Sequence, residues 1–219
     1  MGSVVGRTST EILPYEVIKD APAYEIRLYN QHPVVQAEWQ ADSRSTFFTL
    51  ADYIGAFDVP KNSESKKIAM TAPVECLANG DKFSFMRFFP PQEFDTAESM
   101  PAPVSSAVTV QPLPKRFVAA RRFSGSVDLN NPKTDPSVRP QMLHLIRALL
   151  NDGFIKSDEP CDTDEAVWQQ LDKGHLRDGA TGDVMQWSLA VYDRPLSIPF
   201  FRRNEIWIWL SPDVAERVH

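Results

Sequence analysis

The feature that most constrains the fold is an order of elements that occurs twice along the chain. In the first half, YEIRLY and PVVQAEW alternate apolar and polar residues, which is typical of strands with one buried face. Apolar residues at helical spacing follow over 47–57. KIAMTAPVECLA and KFSFMRFF then predict two more strands, joined around the turn pair Asn79-Gly80. The first half therefore reads strand, strand, helix, strand, strand.

The same order returns after a proline-rich, acidic connection, PPQEFDTAESMPAPV. SAVTVQPLPKRFVAARRF predicts two strands, a helix begins near Arg139 and ends near Gly153, and VMQWSLAVY and RRNEIWIWL predict two further strands. An acidic segment over 155–183 lies between that helix and those strands. Its charge predicts a solvated surface insertion, with a short helix over 164–171.

The sequence predicts an α+β fold, because the strands have alternating patterns, each half has one helix and there is no βαβ crossover pattern. We expect the two helices to cover an antiparallel sheet or open barrel. The expected organisation is a flexible N-terminus over 1–11 and a single domain over 12–212. The halves of that domain cover about 14–90 and 104–212.

Composition excludes several classes of protein. The net charge of −6 argues against a nucleic-acid partner. No apolar run approaches the roughly 20 residues that span a bilayer, and the N-terminus lacks a secretory signal. The two cysteines lie outside any CxxC motif, which favours a reducing compartment. We therefore expect a soluble, intracellular protein of the cytoplasm or an organelle, including a plastid if a transit peptide has been removed.

Large aromatic residues are the positive functional signal, because no catalytic motif or pair of metal-spaced histidines is present in the sequence. Phe47 and Phe48 point about 100° apart on the predicted helix, so a narrow apolar stripe would not bury both. Arg44 lies three residues before Phe47 on the same face. Arginine beside aromatic rings suits a flat apolar ligand that carries carboxylates.

Several motifs, in order, resemble one known family. KIAMTAPV is similar to the hallmark of the SOUL / haem-binding-protein family. YEIRLY, the Tyr53-Ile54-Gly55 helix end, PPQEFD, RRFSGSVD, VYDRP and RRNEIWI resemble further family motifs in the same order. The resemblance covers about residues 14–210, which is nearly the whole chain.

The resemblance implies a distorted antiparallel β-barrel, built from a pseudo-repeat and flanked by two helices. It also implies reversible, non-covalent binding of haem or another tetrapyrrole in an exposed apolar cleft. In this chain the cleft would lie between residues 44–55 and 194–203. The resemblance places the ligand contacts of the helix on Arg44, Phe47, Phe48 and Ala51. We add Met70 of the hallmark and the apolar residues of the late loop as further candidate contacts: Leu196, Ile198 and Phe200.

Several positions depart from the pattern of the family. Leu28 stands where one branch carries a histidine proposed as an iron ligand, and Asp52 stands where some members carry a lysine. Ala69 replaces the usual proline of the hallmark, and the late loop has an apolar run, Leu196-Ser197-Ile198-Pro199-Phe200, where a lysine is expected. The resemblance therefore assigns no metal ligand here. For Met70-Thr71-Ala72-Pro73 we expect a structural role first, because a proline in a strand indicates an edge, a bulge or a strand end. A weak contact of Met70 with haem is the second interpretation.

The leading hypothesis is a non-catalytic tetrapyrrole-binding protein for carriage, buffering or sensing. The first alternative is a protein-interaction scaffold that has lost haem binding. It would use HLIRALLNDGF, which faintly resembles the short helix that some family members offer to Bcl-2-type partners. The second alternative is an enzyme that modifies a tetrapyrrole, although no residue is assigned as catalytic.

Overall fold

The computed structural model describes residues 10–79, 82–192 and 202–218. Within them, nine strands form one antiparallel sheet in the order β1-β2-β7-β11-β10-β4-β5-β3-β6, and two short strands form a separate hairpin. The strands are β1 Glu16–Ala21, β2 Tyr24–Tyr29, β3 His32–Glu38, β4 Val74–Asn79, β5 Lys82–Phe88, β6 Val108–Leu113, β7 Arg116–Ser124, β8 Ile155–Ser157, β9 Leu176–Asp178, β10 Trp187–Val191 and β11 Arg203–Leu210. The helices are α1 Ser43–Ile54, α2 Val138–Asn151, α3 Asp164–Lys173 and α4 Val214–Arg217, with a 3-10 turn at Ala97–Ser99.

The α+β class and the large antiparallel sheet are confirmed, but the described strands do not close into a barrel. The outer strands β1 and β6 each pair on one side only. Pro112 in β6 has no N–H to donate, and a bulge between Val17 and Lys19 interrupts β1. Both features are typical of edge strands and oppose closure.

The two halves of the chain contribute to each other's part of the sheet. The predicted order is found as β2-β3-α1-β4-β5 and as β6-β7-α2-β10-β11. β2 of the first half pairs with β7 of the second, and β6 of the second half pairs with β3 of the first. The order of elements agrees with a repeat, while a structural repeat stays a prediction.

One face of the sheet packs against α1 and α2. Buried residues of α1, such as Leu50 and Ile54, join those of α2, such as Met142 and Leu149, in the main core. The other face carries a second, smaller apolar cluster around Tyr29 and Trp207. Both faces of the central strands are therefore covered.

None of the described helices is long and apolar enough to cross a membrane.

Helix α1 is shorter than the apolar spacing predicts. Asp42 caps its start by accepting a hydrogen bond from the Ser45 N–H at 2.7 Å. Gly55 ends it in the left-handed conformation, with φ at 69°. A Cβ at Gly55 would lie 2.4 Å from Pro60 Cγ, so a side chain would not fit at this turn. The helix end at Tyr53-Ile54-Gly55 is confirmed, and only the apolar spacing that continued to Phe57 is wrong.

The hallmark segment 67–73 is irregular apart from a single bridge between Ala72 and Ile12, so the strand expected over KIAMTAPVECLA is confirmed only from Val74, where β4 begins. The Ala72 N–H donates to Glu11 O, and Ala72 O accepts from the Leu13 N–H, each at 2.9 Å. Thr71 donates its hydroxyl proton to Phe89 O, and the Ala72-Pro73 peptide bond is cis. These contacts agree with a structural role for the hallmark.

The acidic segment 155–183 is a packed part of the fold and not a purely solvated insertion. Its predicted helix is confirmed as α3, and Val167, Trp168 and Leu171 are buried in the main core. The segment returns to α2 so closely that a Cβ at Gly179 would lie 2.5 Å from Gly153 O. The prediction of a solvated insertion was wrong because the net charge of a segment reflects its exposed residues and gives no information about the apolar residues that it buries.

Candidate ligand-binding face

Three phenylalanine rings and one arginine form an exposed cluster on the outer side of α1. We call Arg44, Phe47, Phe48 and Phe57 the aromatic face. The ring centroids of Phe47 and Phe48 are 6.0 Å apart, those of Phe48 and Phe57 are 5.6 Å apart, and those of Phe47 and Phe57 are 6.5 Å apart. Phe48 is 40% exposed and Phe57 is 67% exposed, whereas Phe47 is half-buried against the core.

The sequence of α1 places these side chains outward because other residues occupy the core stripe. Thr46, Leu50 and Ile54 recur at helical spacing and are buried. Arg44 lies one turn before Phe48, and its guanidinium carbon is 5.6 Å from the centroid of that ring. Arg44 forms no ion pair within 4.0 Å of a carboxylate among the described residues, although its charge helps to lower the pKa of the nearby Asp42.

The turn after α1 brings Phe57 back to the helix. The Lys61 N–H donates to Asp52 O at 2.9 Å, and Lys61 Nζ lies 2.6 Å from Asp52 Oδ2. The hydrogen bond that Lys61 donates to Asp52 and the negative charge of Asp52 both raise the pKa of Lys61. Asp52, which departs from the family pattern, is therefore the partner of a lysine located nine residues further along.

The structure brings together only part of the predicted site. Arg44, Phe47 and Phe48 share the aromatic face, whereas Ala51 is 2% exposed and packs inward, contrary to the prediction that it faces a ligand. Met70 is half-buried against the main core. The predicted contacts of the late loop, Leu196, Ile198 and Phe200, lie outside the described residues.

Possible metal ligands lie elsewhere in the described part of the chain. His32 is on the opposite face of the sheet, with its ring 5.3 Å from Phe89, and burial lowers its pKa. His144 is exposed on α2, and His175 contacts Gln170 in the acidic segment. Over residues 10–79, 82–192 and 202–218, no group of three or more His, Cys, Asp and Glu side chains could hold a metal ion.

The family motifs converge on a buried carboxylate that the sequence analysis did not single out. Glu205 is fully buried and accepts hydrogen bonds from Arg27 at 2.6 and 3.2 Å and from Arg203 at 2.6 and 2.9 Å. Tyr192 donates to it at 2.9 Å and the indole N–H of Trp207 at 2.8 Å. We call these five residues the Glu205 network.

Electrostatics keep this carboxylate charged. Burial alone would raise the pKa of Glu205, but hydrogen bonding and charge from Arg27, with the charge of Arg203, outweigh burial and hold the pKa below its ordinary value. A second buried carboxylate, Glu75, accepts from Arg116 at 3.1 Å and from Ser188 at 2.7 Å. Since their carboxylates are engaged by the chain itself, we assign both groups to the fold and not to ligand binding.

Comparisons with known proteins agree with this architecture. The family model described as SOUL heme-binding protein matches residues 10–209, so the chain belongs to the SOUL heme-binding protein family. This confirms the family that the motifs indicated. At the level of the family, membership implies binding of haem or a related tetrapyrrole.

Several solved structures are similar in fold. The C-terminal domain of EcmrR has a TM-score of 0.50 and 11% identity, covering 86% of this chain and 98% of that chain. A hydrolase encoded by lin2189 from Listeria innocua has a TM-score of 0.51 and 8% identity, covering 86% of this chain and 91% of that chain. At such identities the likeness concerns the fold alone. The comparison with curated proteins gives no significant match.

Proposed function

We propose that this protein binds haem or another tetrapyrrole reversibly on the aromatic face, as a carrier, buffer or sensor. The observation that carries the proposal is the exposed Phe48 ring, which packs on the half-buried Phe47 beside Arg44, a side chain that forms no ion pair within 4.0 Å among the described residues. Folded monomers rarely leave contiguous apolar patches exposed without a function. Family membership supplies the class of ligand.

The chemistry of the face fits a flat, carboxylate-bearing molecule. The rings offer an apolar surface to the body of the ligand, and the Arg44 guanidinium offers two parallel N–H donors to a carboxylate. Covering roughly 200 Å² of apolar ligand surface contributes about 5 kcal/mol at about 25 cal/mol per Å². Immobilising the ligand opposes part of that gain. The result is a modest affinity, which suits exchange of the ligand.

Iron ligation is not part of the proposal. The aromatic face contributes rings and a guanidinium, neither of which coordinates iron, and His32 lies across the sheet. We therefore propose that the apolar contacts and the carboxylate pairing, and not a metal bond, hold the ligand. On this proposal haemin and a metal-free porphyrin bind with similar affinity.

The organisation of the chain belongs to the same proposal. We infer that residues 12–212 act as a single domain, because each half supplies a strand to the sheet of the other half. The pseudo-repeat of the family would account for the order of elements being found twice.

The alternatives receive less support. The interaction hypothesis needs an exposed leucine stripe on α2, but Leu145 and Leu149 are buried in the main core. A tetrapyrrole-modifying enzyme is distinguished by turnover: bound haem would be converted to a bilin or lose its metal when a reductant is supplied.

Replacement of Arg44 by glutamate tests the proposed carboxylate contact. We expect Arg44→Glu to weaken binding of protoporphyrin IX by about tenfold to a hundredfold, because a charge-assisted hydrogen bond is lost and a like charge takes its place. Binding is measured by quenching of tryptophan fluorescence and by absorbance. Lys115→Glu, in the exposed turn between β6 and β7, makes the same change of charge away from the face and is the control.

Equal affinities of Arg44→Glu and the unmodified protein would remove Arg44 from the site. Equal losses in Arg44→Glu and Lys115→Glu would mean that net charge, and not a local contact, drives binding. Thermal unfolding of both variants is expected to match the unmodified protein, since both side chains are exposed.

A further inference from the structure

We propose that Phe57 is a ligand-contacting residue and that the turn over 55–61 is the second wall of the site. This inference rests on the proposed function. It adds a residue and a chain segment that the predicted site does not contain, since the apolar spacing counted Phe57 as part of the helix and the structure places it in the turn that follows. The site is then a composite of a helix face and the turn that follows it, and Phe57 limits it to ligands wide enough to reach beyond the helix.

The position of the Phe57 ring is the first argument. Its centroid lies 5.6 Å from that of Phe48 and 6.5 Å from that of Phe47. Despite these contacts Phe57 is 67% exposed and Phe48 is still 40% exposed. The ring therefore extends the apolar surface sideways and does not bury it. A side chain that served only to cover Phe48 would leave less of both rings in water.

The construction of the turn is the second argument. Gly55 takes a left-handed conformation and packs against Pro60, where a Cβ would come within 2.4 Å of the proline ring. The Lys61 N–H donates to Asp52 O, and the side chains of Lys61 and Asp52 form an ion pair. The turn is thus closed at both ends on the last turns of α1. A ring held in place before the ligand arrives loses less conformational freedom on binding.

The distribution of charge is the third argument, and it indicates the class of ligand. Phe48 lies between Arg44 and Phe57, with its ring 5.6 Å from the guanidinium carbon and 5.6 Å from the Phe57 centroid. Of the two cations beside the face, Lys61 forms an ion pair with Asp52, whereas Arg44 at the helix start forms none within 4.0 Å among the described residues and interacts only at longer range with Asp42. A ligand that pairs with Arg44 and also reaches Phe57 must be a broad, flat acid. A tetrapyrrole with carboxylates at one edge has that chemistry.

Matched variants of two exposed residues in the same turn provide the test. Protoporphyrin IX is titrated into the unmodified protein and into Phe57→Ala, Phe57→Tyr and Val59→Ala, with tryptophan quenching as the readout. Val59 is 68% exposed, lies two residues from Phe57 and carries no aromatic ring. Removal of the Phe57 ring is expected to weaken binding about tenfold, as loss of an aromatic contact and its apolar area implies.

The two controls separate the ring from the turn that carries it. Phe57→Tyr keeps the ring and Val59→Ala removes apolar surface nearby, so both are expected to bind within about twofold of the unmodified protein. If Phe57→Ala binds protoporphyrin IX as tightly as the unmodified protein does, Phe57 is not a ligand contact, and the proposed function still stands. An equal loss in Val59→Ala would also overturn the role of Phe57. A lack of saturable binding by the unmodified protein would instead refute the proposed function, and with it this inference.

Discussion

Replacement of Glu205 by glutamine is expected to lower the free energy of unfolding by about 3–5 kcal/mol, the usual cost of removing one partner of a buried ion pair. The carboxylate of Glu205 is fully buried and is contacted by Arg27, Arg203, Tyr192 and Trp207. A neutral amide offers one acceptor oxygen to these donors, and Arg27 would be left buried without its main counter-charge.

The control is Glu25→Gln, which removes the other carboxylate that pairs with Arg27. The Glu25 side chain is 37% exposed and its ion pair reaches water, so we expect a loss of less than about 1 kcal/mol. Urea unfolding followed by tryptophan fluorescence measures both variants. Similar losses in Glu205→Gln and Glu25→Gln would contradict the assignment of Glu205 as the centre of the network.

Replacement of Trp168 by alanine is expected to cost about 3–5 kcal/mol, as for other large buried side chains. Trp168 is buried on α3 within the acidic segment, and the guanidinium carbon of Arg139 on α2 lies 4.7 Å from the centroid of its ring. The substitution would leave a cavity between α3 and α2 and remove the cation–π contact.

Gln169→Ala is the matched control, because Gln169 is the next residue on α3 and is exposed. It is expected to change stability by less than about 0.5 kcal/mol. Thermal and urea unfolding compare the two variants. A small effect of Trp168→Ala would mean that the acidic segment is only attached to the fold, as its charge predicted, and does not stabilise it.

Periodicity alone predicted most of the elements. The alternation in YEIRLY corresponds to β2, and the spacing of Met142, Leu145 and Leu149 corresponds to the buried stripe of α2. Such local patterns are read from neighbouring residues and need no knowledge of the tertiary structure. Closure of the sheet is different, because it depends on whether two strands distant in sequence can pair. Pro112 and the bulge in β1 are local signals that argue against closure.

The Glu205 network could not be predicted from spacing. Arg27 and Glu205 are 178 residues apart in the chain, and the alternation of YEIRLY indicates only that Arg27 faces away from the main core. A charged residue on the face of a strand that points away from the main core is usually expected to be exposed to solvent. Here the second face of the sheet is also covered, so arginine and glutamate are buried together. The indirect signal was that several of the quoted motifs carry charged residues inside strands.

The candidate site was predicted in part for the same reason. Arg44, Phe47 and Phe48 are neighbours on one helix, so helical spacing brings them together. Phe57 was assigned to the helix because its spacing fits, and the left-handed Gly55 is what separates it. Gly55 directly follows Tyr53 and Ile54, and a glycine just past the last helical residue is a C-cap signal that predicts this turn.

Titration of the purified protein with haemin and, separately, with metal-free protoporphyrin IX tests the proposed tetrapyrrole binding. Absorbance and tryptophan quenching give the stoichiometry and the affinity for each. We expect saturable binding of one molecule per chain in both titrations, with dissociation constants within about threefold, because the proposed site holds its ligand without a bond to iron. Failure of both molecules to bind saturably would contradict the proposed binding.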